Sequence, residues 1–163
     1  MMKMKAWLTM ALMGGLFVQP VSAQEHNQTV IVDAENTKKI ESVRIEMLVV
    51  YATEANKAVD PQVRPFMKYF RNYKFTGFSL LDSQKAKLND NSARTFMIEG
   101  ERSVTITLLS HTEKSAKMKL VIVEDKGKRI LDTTVNINRN GTFIVAGPKY
   151  KEGVLFLPIS AKY

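Results

Sequence analysis

From Val43 onward the apolar residues recur at every second position in eight short runs, and turn chemistry separates one run from the next. A period of two places alternate side chains on opposite faces of an extended strand, so such a chain is committed to sheet. In the first run Val43, Ile45, Met47, Val49 and Tyr51 alternate with Arg44, Glu46, Leu48 and Val50, which describes a strand with a partly buried second face. The others fall at residues 75–81, continuing toward 88, and at 94–98, 104–110, 118–123, 129–137, 142–146 and 154–161.

Gly100, Lys126-Gly127 and Asn140-Gly141 punctuate successive runs. Asn-Gly is the strongest of these signals, because a two-residue hairpin needs positive φ at both positions and this pair supplies it with little strain. Residues 94–146 are therefore predicted to form an antiparallel meander. Leu131, Thr133, Val135 and Ile137 should share one side of it with Met118, Leu120 and Ile122. Pro158 has no N–H to donate to a ladder and predicts an edge strand or a bulge in the last run.

One segment changes period. Asp60 is a good cap and Pro61 suits a first helical position, while Val63, Phe66, Met67 and Phe70 stand at i, i+3, i+4 and i+7. A helix over residues 61–72 follows, with Pro65 as its awkward member, since a missing N–H and a ring clash inside a helix cost about 3 kcal/mol. The expected architecture is mainly β (α+β): an antiparallel β-sandwich or curled sheet with one amphipathic helix between the first two strands. Phe66, Met67 and Phe70 should be buried with Ile45, Met47, Val49, Ile106, Leu120, Val135 and Leu157.

The start of the chain reads differently. Lys3 and Lys5 precede an apolar run from Ala6 to Val18, and Val21-Ser22-Ala23 follows, the pattern of a secretory signal peptide over residues 1–23. The run is shorter than the roughly 20 residues that span a membrane, which disfavours an uncleaved anchor. Residues 24–41 form a polar leader in which only Val30 and Val32 hint at a short edge strand, and residues 42–163 make a single β-rich domain. Removing residues 1–23 takes away two lysines and no acid, leaving 22 Lys plus Arg against 16 Asp plus Glu. A chain of that size buries a sufficient core without metal or disulfide.

Cysteine is absent. That excludes a disulfide framework, a thiolate zinc site, a cysteine nucleophile and a lipid-bearing cysteine, and in an exported chain it fits a bacterial envelope. The only histidines are His26 and His111. Ser110 and His111 are strand neighbours pointing to opposite faces and do not make a nucleophile and base along a regular strand, and His111 is expected to be a solvated residue at a strand end. Asn89-Asp90-Asn91 lacks the spaced acids, central Gly and closing Glu of a calcium loop. Gly147-Pro148 and Gly153 lie between strands and not before a helix, so no phosphate loop is read there. The reading is of a protein without cofactor or metal and without catalytic residues.

Arg64, Lys68 and Arg71 recur at i, i+4 and i+7 on the helix, with Tyr69, Tyr73 and Lys74 beside them. Such a stripe is either a plain solvated face or a contact surface for a protein partner or an anionic envelope polymer or lipid. A second basic cluster, Lys114, Lys117, Lys119, Lys126, Lys128 and Arg129, surrounds one predicted hairpin and is explained as protection against edge-to-edge aggregation. Nucleic acid is not expected, because no binding motif accompanies the charge. The C-terminal alternation of Leu155, Leu157, Ile159 and Ala161, ending in Tyr163, admits an alternative, a small outer-membrane β-barrel. Pro158, the helix and the scarce aromatic residues weigh against it.

The segment GTFIVAGPKYKEGVLFLPISA, residues 141–161, together with YATEANKAVDPQVRPFMKYF, residues 51–70, resembles small exported bacterial proteins of unassigned function. That resemblance implies a shared β-rich domain with Gly147 and Gly153 at a turn, and it brings no catalytic residue. The expected function is a non-enzymatic periplasmic or secreted accessory protein that binds an envelope protein through a sheet edge or the helix face.

Overall fold

The computed structural model describes residues 42–163. The expected signal peptide and polar leader, the short strand expected at Val30 and Val32, and His26 lie outside the described residues. Eight strands follow one another: β1 (Val43–Thr53), β2 (Gly77–Leu88), β3 (Ser92–Ile98), β4 (Arg102–His111), β5 (Ser115–Val123), β6 (Arg129–Asn138), β7 (Thr142–Tyr150) and β8 (Gly153–Lys162). They build two antiparallel sheets, β2-β1-β8-β7 and β3-β4-β5-β6. Each sheet ends in two edge strands, so the described residues form a sandwich and do not close into a barrel.

The period-two pattern dictates this packing. Val43, Ile45, Met47 and Val49 of β1 and Leu155, Leu157, Ile159 and Ala161 of β8 meet Val104, Ile106 and Leu108 of β4 and Met118, Leu120 and Ile122 of β5 in one core between the sheets. The expected alternation of β5 and β6 is observed in register, with Ile122 opposite Leu131, Leu120 opposite Thr133, Met118 opposite Val135 and Ala116 opposite Ile137.

A second core covers the other face of the first sheet. Leu48, Val50 and Ala52 of β1, Phe78 of β2 and Phe156 of β8 bury against Val63 and Phe70 of the β1–β2 connection. Phe70 therefore belongs to this outer core and not, as expected, with Ile45, Met47 and Val49, while Phe66 and Met67 are only partly buried at its rim. Neighbouring strand residues face opposite ways, so an element lying on the even-numbered face of β1 cannot reach the odd-numbered one.

The helix is shorter than its apolar spacing predicts. Residues 61–63 form turns, a single 3₁₀ turn occupies Arg64–Phe66, and regular α-helix, α1, spans only Met67–Phe70. Pro65 lacks the N–H that an α-turn over this stretch requires, which confines the regular turn to the residues after it.

Two further expectations are corrected. The meander runs from β3 to β6 and stops, because β7 crosses to the other sheet and pairs with β8. Asn140 has φ 57°, but Gly141 does not share it, and the Gly141 N–H donates to Asn138 O at 2.7 Å in a turn that leads between sheets. The paired positive φ expected there occurs instead at Gly100 (78°) and Glu101 (56°), between β3 and β4, and at Lys126 (63°) and Gly127 (76°), between β5 and β6. Pro158 is buried on an interior strand. The β1–β8 register passes from Met47 opposite Ile159 directly to Val50 opposite Phe156, and this gap beside Pro158 accommodates the missing donor without an edge.

Candidate functional site

Residues 54–76 connect two adjacent antiparallel strands that a hairpin of two to five residues would join. A connection of this length is commonly a functional element. It is tied down at both ends of its path. Asp60 N–H donates to Phe78 O at 2.9 Å and Phe78 N–H to Ala58 O at 2.8 Å, while Asp60 Oδ1 accepts from Gln62 N–H at 2.8 Å. Phe70 stacks on Phe78 with ring centroids 5.1 Å apart, and Tyr73 and Phe75 set their rings edge-on to Phe156 at 4.6 and 6.0 Å. With its apolar side spent on that core, the segment turns its polar side outward.

Arg64, Lys68, Tyr69, Arg71, Tyr73 and Lys74 are all exposed, the two tyrosines at 38% and 42%. Between Asp60 and Asp82 the chain carries these four cations and no acid. Lys74 Nζ lies 2.6 Å from the Glu54 carboxylate and Lys68 Nζ sits 4.9 Å over the Tyr69 ring. Neither Arg64 nor Arg71 has an ion pair among the described residues.

Lys74 also stands in a cleft of about 340 Å³ with Phe75, Glu54, Lys149, Lys151 and Glu152. Lys149 near the end of β7 and Lys151 in the β7–β8 turn extend the basic surface beyond the helix. Sequence reading missed them, since nothing local links Lys149 and Lys151 to the insertion and only the pairing of β7 with β8, and of β8 with β1, carries them to Lys74. Gly153 directly follows the Lys151-Glu152 turn and pairs across it with Tyr150, whereas Gly147 stands inside a strand. Gly147 lies in β7 and Gly153 opens β8. A Cβ on Gly153 would overlap the Ala52 carbonyl oxygen of β1.

Each free edge strand is interrupted or bonded at one or two points. The start of β2 is bonded by residues 58–60, and Leu81 bulges where Val49 pairs with Asp82 and Val50 with Leu80. Ile130 bulges from β6, and β7 shifts register between Ala146 and Lys149 around Pro148. On β3 the Gln84 side-chain Nε2–H donates to the Met97 carbonyl at 2.7 Å. Each device spoils a continuous row of main-chain donors and acceptors. In the second basic cluster Lys119 and Arg129 converge on Asp132 at 3.4 and 2.6 Å.

His111 differs from its expectation as a solvated residue. Its side chain is only 11% exposed, and Nδ1 lies 2.6 Å from Asp90 Oδ1 in the β2–β3 turn, with the Tyr163 ring edge-on at 6.0 Å. Asp90 thus anchors one end of the sandwich from within an Asn-Asp-Asn turn. Among the described residues, no group of three or more His, Asp or Glu is placed to hold a metal ion.

Fold and surface together define an antiparallel two-sheet sandwich carrying a basic, tyrosine-bearing insertion on its outer face. No protein-family model, curated protein or solved structure matches this chain.

Proposed function

We propose that this chain is a non-enzymatic interaction protein of the bacterial envelope that holds a protein partner against the β1–β2 insertion. The observation that supports it is the grouping of exposed Arg64, Lys68, Arg71, Tyr69 and Tyr73, with no ion pair on either arginine among the described residues, over a segment immobilised by Val63 and Phe70. Arginine and tyrosine are the residue types enriched at protein interfaces, since a planar cation and an amphipathic ring supply contact area at small entropic cost. The helix face is favoured over a sheet edge because each edge strand of the described sheets carries a bulge or has a main-chain group already bonded.

A second reading uses the same residues for an anionic envelope polymer or lipid, and Lys149 and Lys151 beside Lys74 favour it. Pull-down from envelope extract at low and at raised salt separates the two. Retention of one protein at both salts, abolished in the triple variant Arg64→Ala, Lys68→Ala, Arg71→Ala, supports the protein partner. Recovery of anionic polymer alone, lost as salt rises, replaces that reading with the second, because exposed charges are screened over about 8 Å at physiological ionic strength.

A further inference from the structure

A cavity of about 420 Å³ opens between the two sheets where edge strands β6 and β7 face each other. Its walls include Ile122, Ile130, Leu131, Val145, Ala146 and Pro148, and Arg102 and Glu124 stand together in them with Lys149. Two features make this opening a built one. The bulge at Ile130 and the register shift of β7 between Ala146 and Lys149 occur on both sides of the same seam. In β7 the shift is enforced locally, since Pro148 has no N–H for the ladder and a Cβ on Gly147 would stand 2.7 Å from the Leu155 carbonyl oxygen. Bulges of this kind part neighbouring strands and are concentrated beside binding sites.

Arg102 supplies the polar anchor. Its side chain is 16% exposed, yet its contacts are sparse: Nε–H reaches Glu124 Oε1 at 3.4 Å and Nη1–H reaches the Glu99 carbonyl at 3.3 Å. A guanidinium has five N–H donors and prefers to grip a carboxylate with two short, parallel bonds. Gly100, having no Cβ, leaves the space that Nη1 of Arg102 occupies. The wall therefore presents Arg102 and Lys149 against the single acid Glu124, above a predominantly apolar interior.

We infer that this seam cavity binds a small amphipathic monocarboxylate, its carboxylate on Arg102 and its apolar body against Ile122, Leu131 and Val145. The cavity is of the size of ordinary ligand sites, which are mostly apolar with a few placed polar groups. Ile130, half-exposed at the mouth, would be covered by the bound ligand. Binding exchanges the long Glu124 contact of Arg102 for a bidentate one, and no bond is made or broken.

The test is titration of the purified chain with decanoate and with decanol, read by amide chemical shifts of residues 122, 130, 131 and 145–149. Decanoate should shift these residues and bind more tightly than decanol. Arg102→Gln should weaken decanoate by about tenfold or more, the loss expected when a charged partner of a buried hydrogen bond is removed, and leave decanol unaffected. Leu131→Trp, which fills the seam from a partly buried wall position opposite Ile122, should abolish both while circular dichroism reports an intact sandwich. Absence of shifts at the seam, equal affinity for the acid and the alcohol, or decanoate binding indifferent to both variants would overturn the assignment.

Discussion

The ring of Phe70 on the insertion and the ring of Phe156 on β8 lie 4.9 Å apart, centroid to centroid, and both side chains are almost wholly buried. Tyr73 and Phe75 pack on the same Phe156 ring, so one strand residue gathers three aromatic side chains of the connection that carries the basic surface. Stability and binding are thereby joined at one contact. Phe70→Ala should cost about 3–5 kcal/mol through lost burial and a residual cavity. Urea titration followed by circular dichroism measures it, and partner capture should fall even where the sandwich stays folded, because the cations lose their support.

Lys68→Ala, on the outward side of the same helix, should change stability by no more than about 0.5 kcal/mol. Combined with Arg64→Ala and Arg71→Ala it should abolish partner capture. Unfolding curves that coincide with wild type, beside a pull-down that no longer retains the partner, are the expected pair of results.

Glu46 receives Lys162 Nζ at 2.6 Å from β8 and Lys85 Nζ at 3.0 Å from β2, linking three adjacent strands. The Lys162 hydrogen bond, with Lys85 adding to it and partial burial opposing, holds the Glu46 carboxyl below the usual carboxylate range. A depressed folded-state value stabilises the protein above the unfolded carboxylate value and loses that contribution as pH falls through the folded one. Both lysines are well exposed, so the contribution should be no more than about 1 kcal/mol. Glu46→Gln should flatten this part of the acid limb of stability against pH, and wild type and variant should converge at low pH.

Burial raises the Tyr163 phenol above the ordinary tyrosine value, against the opposing charge of Arg139, whose guanidinium lies 5.5 Å from the ring. The sign is that of a raised group: stability is unaffected below the unfolded tyrosine value and declines as pH rises through the folded one. The difference between ultraviolet titrations of wild type and Tyr163→Phe should show a phenol ionising later than a free tyrosine.

Gly153→Ala should destabilise by about 1–3 kcal/mol, because the added Cβ overlaps the Ala52 carbonyl oxygen and forces β8 from β1. Thermal unfolding checks the size. Loss of protection at the amides of residues 153–156 in hydrogen exchange would locate the damage at that strand pair.

The period-two runs determined the number of strands, their inner faces and the β5–β6 register, because alternation on an extended chain is a local property that survives any choice of neighbour. The change of period at Asp60 likewise placed the insertion and its exposed Arg64, Lys68, Arg71, Lys74, Tyr69 and Tyr73. Pairing is a different matter. Asn140-Gly141 carries a hairpin signal, yet β7 joins β8, whose almost entirely buried residues require a strand on each side. The same long-range choice puts Pro158 in a sheet interior, brings Lys149 and Lys151 to Lys74, and faces two bulged strands across the seam beside Arg102. Local sequence specifies which face of each strand is apolar; which strands then meet depends on how both faces of the first sheet can be buried at once, and only the tertiary structure decided that.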